Sequence, residues 1–554
     1  MNIEDLRALG ERTRIDTDLC LIGSGPAGWT ISEEFRNTGL RILMLESGGP
    51  AVDPETAALN EVEDVGTPLF NGRARALGGT SVLWHGWRCV PLEDIDYEQR
   101  PWVPRSGWPF GAETMAPYVN RASEHFGAGP YFERHERRPM PGGLRLDFDP
   151  ALLRSAWWQL PTPVNFGQVL ATRPSPNLWV LLRATVTQLN TDPYGRRIES
   201  VEVADANGRR LTVHARAVVL CAGGIENPRI LLYSNRINPN GVGNQHDLVG
   251  RYLMDHPRDF ELIARAEPAD MERFRSMFGP RNKVCDGYGF SLMDGPRGRH
   301  EFSYGFSLSP EWQRAEGLLN AAAWPFWNFA DSPAETARAP DDPFDALKRL
   351  AKGPRDRALR DAWRVVSQPG LLRSRLETHR KTKRDVERRG FLVSSEQVPD
   401  PDSRVQLSGR RDRLGLPLAR TDWRTNELEA RSQAVLAQTI AAEFMRLGLF
   451  PLRLADWVRE GRFGDAKFVD GCHPSGTTRM ADDPRDGVVD ANCQVYGVDR
   501  LYVAGSSVFP TNSHANPTLM IVALAVRLAE HLKERFHPKA SAGATGRMPV
   551  LASD

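Results

Sequence analysis

This chain of 554 residues is short of several things. Cysteine is one: Cys20, Cys89, Cys221, Cys285, Cys472 and Cys493 are scattered with no CxxC pair. That argues against a zinc site or a disulfide framework, and Cys20 and Cys221, in apolar strand-like runs, read as buried free thiols. Net charge is another, because 71 Lys and Arg against 70 Asp and Glu leave a formal +1, with no global field to attract nucleic acid or an acidic partner. No run reaches the roughly 18 apolar residues of a membrane span. The opening MNIEDLRALGERTRID is polar and has no apolar h-region, so the expected location is the cytoplasm. Internal repeats are not visible either, and a chain this long is expected to divide into two or more domains.

What is present is concentrated between Asp18 and Glu46. An apolar run, Leu19 to Ile22, leads into Gly23-Ser24-Gly25-Pro26-Ala27-Gly28, then a stretch of helical spacing ended by Gly39, then the strand-like Ile42 to Leu45 closing on Glu46. This is a βαβ unit carrying a dinucleotide fingerprint. Gly23 suits the tight turn, Gly25 the approach of a pyrophosphate and Gly28 close packing of helix on sheet, with the helix N-terminus facing the phosphates. Glu46 is placed to accept hydrogen bonds from an adenosine ribose with free hydroxyls. At this point NAD and FAD are both open.

Further along, Gly78-Gly79-Thr80-Ser81 offers a second backbone surface for a flat or phosphorylated group, or simply a glycine turn leading into an aromatic patch. Residues 101–118 are rich in Pro, Gly and Trp and read as irregular connection. Between Asn177 and Gly224 the pattern is strand, with Asn207-Gly208 marking a hairpin. Its last run, AVVLCAGG, delivers Ala222 and Gly223 into a helix and is expected beside the first βαβ unit in one parallel sheet. From Asp259 to Leu392 the pattern weakens. Residues 346–389 are dense in Arg and Lys; the interspersed acids and scarce aromatics favour a solvated helical excursion over a surface for nucleic acid or anionic lipid. Phe391 to Leu407 reads as strand, turn, strand, and Thr425 to Leu447 as a helix stopped by Gly448. The residues from about Pro538 onward have a disordered tail's composition.

The C-terminal segment carries Asp470-Gly-Cys-His473-Pro-Ser-Gly476-Thr477-Thr-Arg-Met480, then Arg500-Leu-Tyr-Val-Ala-Gly505-Ser506, then Asn516-Pro517-Thr518 opening an apolar helix. With these motifs the sequence resembles the glucose-methanol-choline (GMC) family of flavin oxidoreductases, on HPxGTxRM, LYVAGxSxxPTxxxxNPTLxxxALAxR, the N-terminal GxGxxG, LGGTS, VVLCAGGIENPRILL and VGRYLMDHP (Val249 to Pro257), all in the family's order. The branch with pyranose oxidase and bacterial sugar-oxidising relatives looks nearest.

The resemblance implies an α/β fold. A Rossmann-like FAD-binding domain, discontinuous in sequence, would be built from residues 1–258 (irregular around 90–175) and 466–537. An α+β substrate-binding domain, a sheet backed by helices, would take 259–465, with the basic insertion at 331–389 and a tail at 538–554. FAD, held non-covalently, would be contacted by Gly23, Ser24, Gly25, Pro26, Ala27, Gly28, Glu46, Ser47, Gly78, Gly79, Ser81, His85, Val186, Ala222, Gly223, Gly505, Ser506, Asn516 and Thr518. His473 and Asn516 would be the catalytic pair, His473 taking the proton of an alcohol and Asn516 holding its oxygen, with no metal. Read alone, Asn516 before Pro517 is equally a helix cap and His473 a structural histidine. His514 could face the substrate, and His256 reads as a buried hydrogen-bonding residue.

The expected substrate is a small alcohol, a sugar or glycoside, with oxygen or another acceptor reoxidising the flavin. The alternatives are a non-sugar alcohol (aryl, terpenoid or sterol) and a non-redox FAD-containing lyase. No nucleic-acid partner and no membrane span are expected.

Overall fold

The computed structural model describes residues 3–10, 13–69, 72–83, 90–127, 146–160, 164–173, 175–258, 264–278, 284–285, 288–289, 291–295, 298–328 and 388–536. The basic insertion up to residue 387, the C-terminal tail and His85 lie outside these residues. The fold is α/β. A Rossmann-like sheet is assembled from distant parts of the chain, and a second, antiparallel sheet is backed by a long helix.

The first sheet is built on β1 (Arg14–Ile22), followed by α1 (Pro26–Glu34) and β2 (Ile42–Leu45). β2 also pairs in parallel with β3 (Leu178–Leu182), and β1 pairs in parallel with β4 (Arg210–Leu220), which delivers the chain into α2 (Gly223–Tyr233). β5 (Leu501–Val503) arrives from far down the chain and joins the C-terminal half of β4, again in parallel. The register is informative. Ile22 lies opposite both Leu45 and Leu220, and Leu220 lies opposite Val503, so the three glycine turns that follow Ile22, Leu220 and Val503 emerge side by side at one edge of the sheet. The apolar runs Leu19–Ile22, Ile42–Leu45 and Val218–Leu220 are buried throughout, as strands covered on both faces require. The hairpin expected at Asn207-Gly208 joins Ile198–Ala204 to β4 in antiparallel pairing.

The second sheet runs Val284–Cys285, Tyr288–Gly289, Ala321–Asn328, Arg388–Ser395, Ala264–Ala266, Leu452–Leu454, and Gly298–Leu308 extends it by pairing with both Ala321–Asn328 and Leu153–Leu160. The helix Glu427–Arg446 packs on it over a core of Phe274, Phe278, Phe306, Phe391 and Phe444. A capping box between Asn426 and Glu429 starts that helix, and Gly448 follows its end, as its sequence signals indicate.

Three expectations are corrected. α1 ends at Glu34, ahead of Gly39, because Asn37 takes up the left-handed conformation first. Residues 112–125, partly read as irregular, form the helix Ala112–His125 despite Pro117. Its buried stripe of Met115, Val119 and Ala122 packs on the C-terminal helix α3 (Thr518–Phe536), and that tertiary contact outweighs the one backbone bond the proline removes. Leu153–Leu160, also inside the stretch read as connection, is a strand of the second sheet. The two strands expected over Phe391 to Leu407 are present as Arg388–Ser395 and Arg404–Arg411, and the latter pairs with Pro417–Trp423, which in turn pairs with Val62–Gly66.

Gly28 shows how tightly α1 is set on this sheet. A Cβ there would lie 2.1 Å from the Gly23 carbonyl oxygen, a backbone atom with no freedom to swing away. Gly28→Ala is therefore expected to cost about 3 kcal/mol or more of stability through forced separation of helix and turn. Urea unfolding checks this, and an unchanged midpoint would contradict the packing account.

Candidate active site

The three turns at the sheet edge have a common property. Added side-chain carbons at Gly25, Gly223 and Gly505 would meet nothing within 4 Å, and the helical segments that follow these turns start without a side-chain cap. Three uncapped N-termini thus open onto the same edge, with orphan N–H groups available to an anionic group. The residues present fit a dinucleotide's pyrophosphate.

The surrounding site residues are mostly engaged in building this edge. The buried Glu46 carboxylate accepts from the Ser24 amide at 3.1 Å, the Ser24 hydroxyl at 2.5 Å and the Gly48 amide at 2.8 Å; burial raises its pKa against these donors. The Ser24 hydroxyl in turn accepts from the Gly78 amide at 2.9 Å. A Cβ on Gly79 would lie 2.9 Å from the Gly25 Cα, so the second glycine pair is stacked on the first turn, and one on Gly78 would strike the Gly167 backbone at 2.2 Å. Ser81 is buried and spends its hydroxyl on the Gly78 carbonyl and the Phe166 amide. Ser47 bonds Thr185 and Arg75, and the Val186 carbonyl accepts from the Tyr233 hydroxyl at 2.6 Å.

One residue that the sequence reading passed over holds two of these turns together. Asn227, fully buried in the first turns of α2, accepts from the Ala222 amide and donates to the Ala504 carbonyl at 3.1 Å and the Ser507 hydroxyl at 2.9 Å. The signal available in the sequence was an amide side chain just after a Gly-Gly turn, where the backbone N–H ahead of the helix needs a partner.

The His473 loop docks on the same turns. The Ser506 hydroxyl donates to the Pro474 carbonyl at 2.7 Å, Gly476 and Thr478 donate from their amides to Ser506 and Ser507, and the Thr477 hydroxyl donates to the Gly224 carbonyl at 2.6 Å. His473 is half-buried. Its amide donates to one oxygen of the Asp255 carboxylate at 2.7 Å, while the other oxygen accepts from the amides of Gly471 and His256, each at 2.6 Å. Burial and the nearby Asp470 charge push Asp255 up to about 7. The imidazoles of His473 and His256 meet Nδ1 to Nδ1 at 2.8 Å with their planes at 78°. His256 is fully buried, its Nε2 lies 3.2 Å from the Asn512 carbonyl oxygen, and burial and the Arg258 charge push its pKa down to about 3. Asp255, His256 and His473 could together reach a metal, their ligand atoms lying within 4.8 Å of one another. Three backbone amides already occupy the carboxylate, and the two Nδ1 atoms share one hydrogen, so the arrangement reads as a hydrogen-bonded chain.

Asn516 is half-buried, and among the described residues its side chain makes no hydrogen bond. The capping reading is corrected: α3 begins at Thr518 with the Pro517 carbonyl accepting from the Ile521 amide, one residue too late for Asn516 to cap it. His514 is buried with Nδ1 3.1 Å from the Asn320 side-chain oxygen, and the Asn320 amide nitrogen donates to Glu93 and Asp96; Glu93 is pushed up to about 7 by burial and the Asp96 charge. Cys472 and Ser513, immediately before His473 and His514, are non-glycine residues in the left-handed region at φ +60° and +55°. Such strain is concentrated where side chains are aimed at a site.

Comparison with known proteins agrees with this architecture. Two models of the GMC oxidoreductases match residues 168–258 and 399–525. A 2-methyl-1,2-propanediol dehydrogenase of Mycolicibacterium austroafricanum is 24% identical over 94% of this chain and 96% of its own. A C-glycoside 3-oxidase of Arthrobacter globiformis is 48% identical over 65 residues, 12% of each chain. In structure, a variant of the Aspergillus oryzae formate oxidase, studied for modification of its FAD, superposes with a TM-score of 0.53 at 18% identity, covering 95% of this chain and 99% of that one. The last comparison shows the fold. The chain belongs to the GMC oxidoreductases, a family of flavoproteins, and is an enzyme of alcohol oxidoreduction. No described helix is long and apolar enough to cross a membrane.

The triple-amide grip on Asp255 can be tested directly. Asp255→Asn would turn an NH₂ toward one of those amides and is expected to cost about 1–3 kcal/mol for a buried donor left unpaired. Because the folded-state pKa of Asp255 is raised, its contribution is complete below its ordinary value of 3.8 and is lost as pH rises through about 7. The stability gap between wild type and variant, from urea unfolding at a series of pH values, should accordingly narrow toward alkaline pH.

Proposed function

We propose that this protein is an FAD-dependent oxidoreductase that converts a secondary alcohol of a sugar or glycoside to a ketone. The observation that supports the reading is the docking of the His473 loop onto the second and third glycine turns, through Pro474 on Ser506 and Thr477 on Gly224, with a half-buried imidazole in that loop. FAD, when bound, supplies the acceptor for the hydride of the carbinol carbon. The turn residues Gly25, Gly223 and Gly505 would admit its pyrophosphate, and Glu46 its ribose.

His473 accepts the hydroxyl proton of the substrate, and Asn516, its amide uncommitted among the described residues, hydrogen-bonds the same oxygen. The C-glycoside 3-oxidase likeness supports the sugar reading. The propanediol dehydrogenase likeness, which spans nearly the whole chain, favours a second reading in which the substrate is a non-sugar alcohol. Anaerobic mixing with glucose, methyl glucoside, an aryl C-glucoside, benzyl alcohol and a vicinal diol separates the two by which compound bleaches the flavin; bleaching by none of them would remove both readings. His473→Ala should keep the flavin spectrum and lose on the order of 10² to 10⁴ in reduction rate.

Non-covalent attachment is part of the same proposal. Where pyranose-oxidase-like chains that attach flavin carry a histidine, this chain has Leu83, 46% exposed and without a nucleophile. Acid precipitation should therefore release all the flavin into the supernatant, and yellow colour retained by the pellet would contradict this. The buried free thiols Cys20, Cys221 and Cys493 are in keeping with a cytoplasmic location.

A further inference from the structure

The two histidines of the site meet through the same nitrogen, and that restricts their protonation. Between His473 Nδ1 and His256 Nδ1, 2.8 Å apart, there is room for one hydrogen, so one ring donates and the other accepts. The far side of His256 decides which. Its Nε2 faces the Asn512 carbonyl oxygen at 3.2 Å, and a carbonyl only accepts, so Nε2 carries the hydrogen. A neutral ring with hydrogen on Nε2 has a lone pair on Nδ1. Full burial beside the Arg258 guanidinium keeps the ring neutral, since a second positive charge there would be stripped of water and repelled by the first.

We infer that His256 is a positioning residue that fixes His473 as its Nδ1–H tautomer, leaving His473 Nε2 as the basic nitrogen. This rests on the reading of His473 as the proton acceptor. The relay runs from the Asn512 carbonyl through His256 to His473, and both ends are anchored. The Asn512 side chain donates to the Asp255 carbonyl at 2.7 Å and accepts from the Gln397 amide at 3.1 Å, while Asp255 holds the backbones of both histidines. Free imidazole in histidine favours hydrogen on Nε2, the tautomer that would present a donor where a base is required, so the relay reverses an intrinsic preference. When the substrate O–H bond breaks, its proton passes to Nε2 and the resulting imidazolium still donates from Nδ1 to His256. The charged and titratable groups that act on Asp255 and His256 include Asp470, Arg258 and His514.

The test is nitrogen NMR of the ¹⁵N-histidine-labelled holoenzyme, with the His473 signals identified by their loss in His473→Asn. The expected result is a protonated Nδ1 and a bare Nε2 on His473 near neutral pH. His256→Gln, whose amide can donate to Asn512 and accept from His473, should retain that pattern. His256→Leu should shift His473 toward the Nε2–H form and slow flavin reduction by the fastest alcohol of the anaerobic panel on the order of 10²-fold, in kcat rather than KM. An Nε2–H signal on His473 in the wild type, or an unchanged tautomer in His256→Leu, would overturn the inference. Should the Leu variant not fold, the wild-type and Gln spectra decide. Wild-type reduction rates in His473→Ala would instead remove the base reading itself, whatever the tautomer.

Discussion

A buried carboxylate with three backbone donors is the constraint on which the site depends. Asp255 lies in a segment remote in sequence from Gly471 and His473, yet its two oxygens take their amides together with that of its neighbour His256. Removing a carboxylate from water is costly, and here the hydrogen bonds offset that cost by fixing two loops to one another. Everything with chemical potential at this place, from the facing imidazoles to the strained residue ahead of His473, inherits its position from that junction. The acid's raised pKa shows that the offset is incomplete.

The same economy governs the sheet edge. Glycines that look alike in the sequence divide into two kinds. Gly28, Gly78 and Gly224 are small because protein backbone presses on them, at 2.1 to 2.3 Å from where a Cβ would be, whereas Gly25, Gly223 and Gly505 face open space. The first kind brings the turns together and the second leaves something for the turns to surround. Asn227 ties the second turn to the third, as Ser24 ties the first to the Gly78 loop.

How far the sequence could be read follows from this. The parallel core was readable because Leu19–Ile22, Ile42–Leu45 and Val218–Leu220 are uninterrupted apolar runs ending in glycine, a local signal for a buried strand and turn. The second sheet was hard to read because its strands, such as Leu153–Leu160 and Gly298–Leu308, are defined by partners about 150 residues away and have no turn chemistry between them. The helix over Met115, Val119 and Ala122 was hidden by Pro117, whose local cost is outweighed by a contact no window of sequence contains. At the site, His473 and Asn516 stood out through their motifs. The pairing of His473 with His256 did not, since it depends on the meeting of two loops far apart in the chain.

The position of β5 has a consequence for biosynthesis. The first two glycine turns are complete once the ribosome has passed Tyr233, but the third turn, the His473 loop and α3 come from the last part of the described chain. Until Leu501–Val503 pairs with Val218–Leu220, half of β4 is an open edge and Asn227 lacks two of its partners. A nascent chain therefore carries an unfinished sheet edge through most of its synthesis, and the three turns stand side by side only once its last strand has paired.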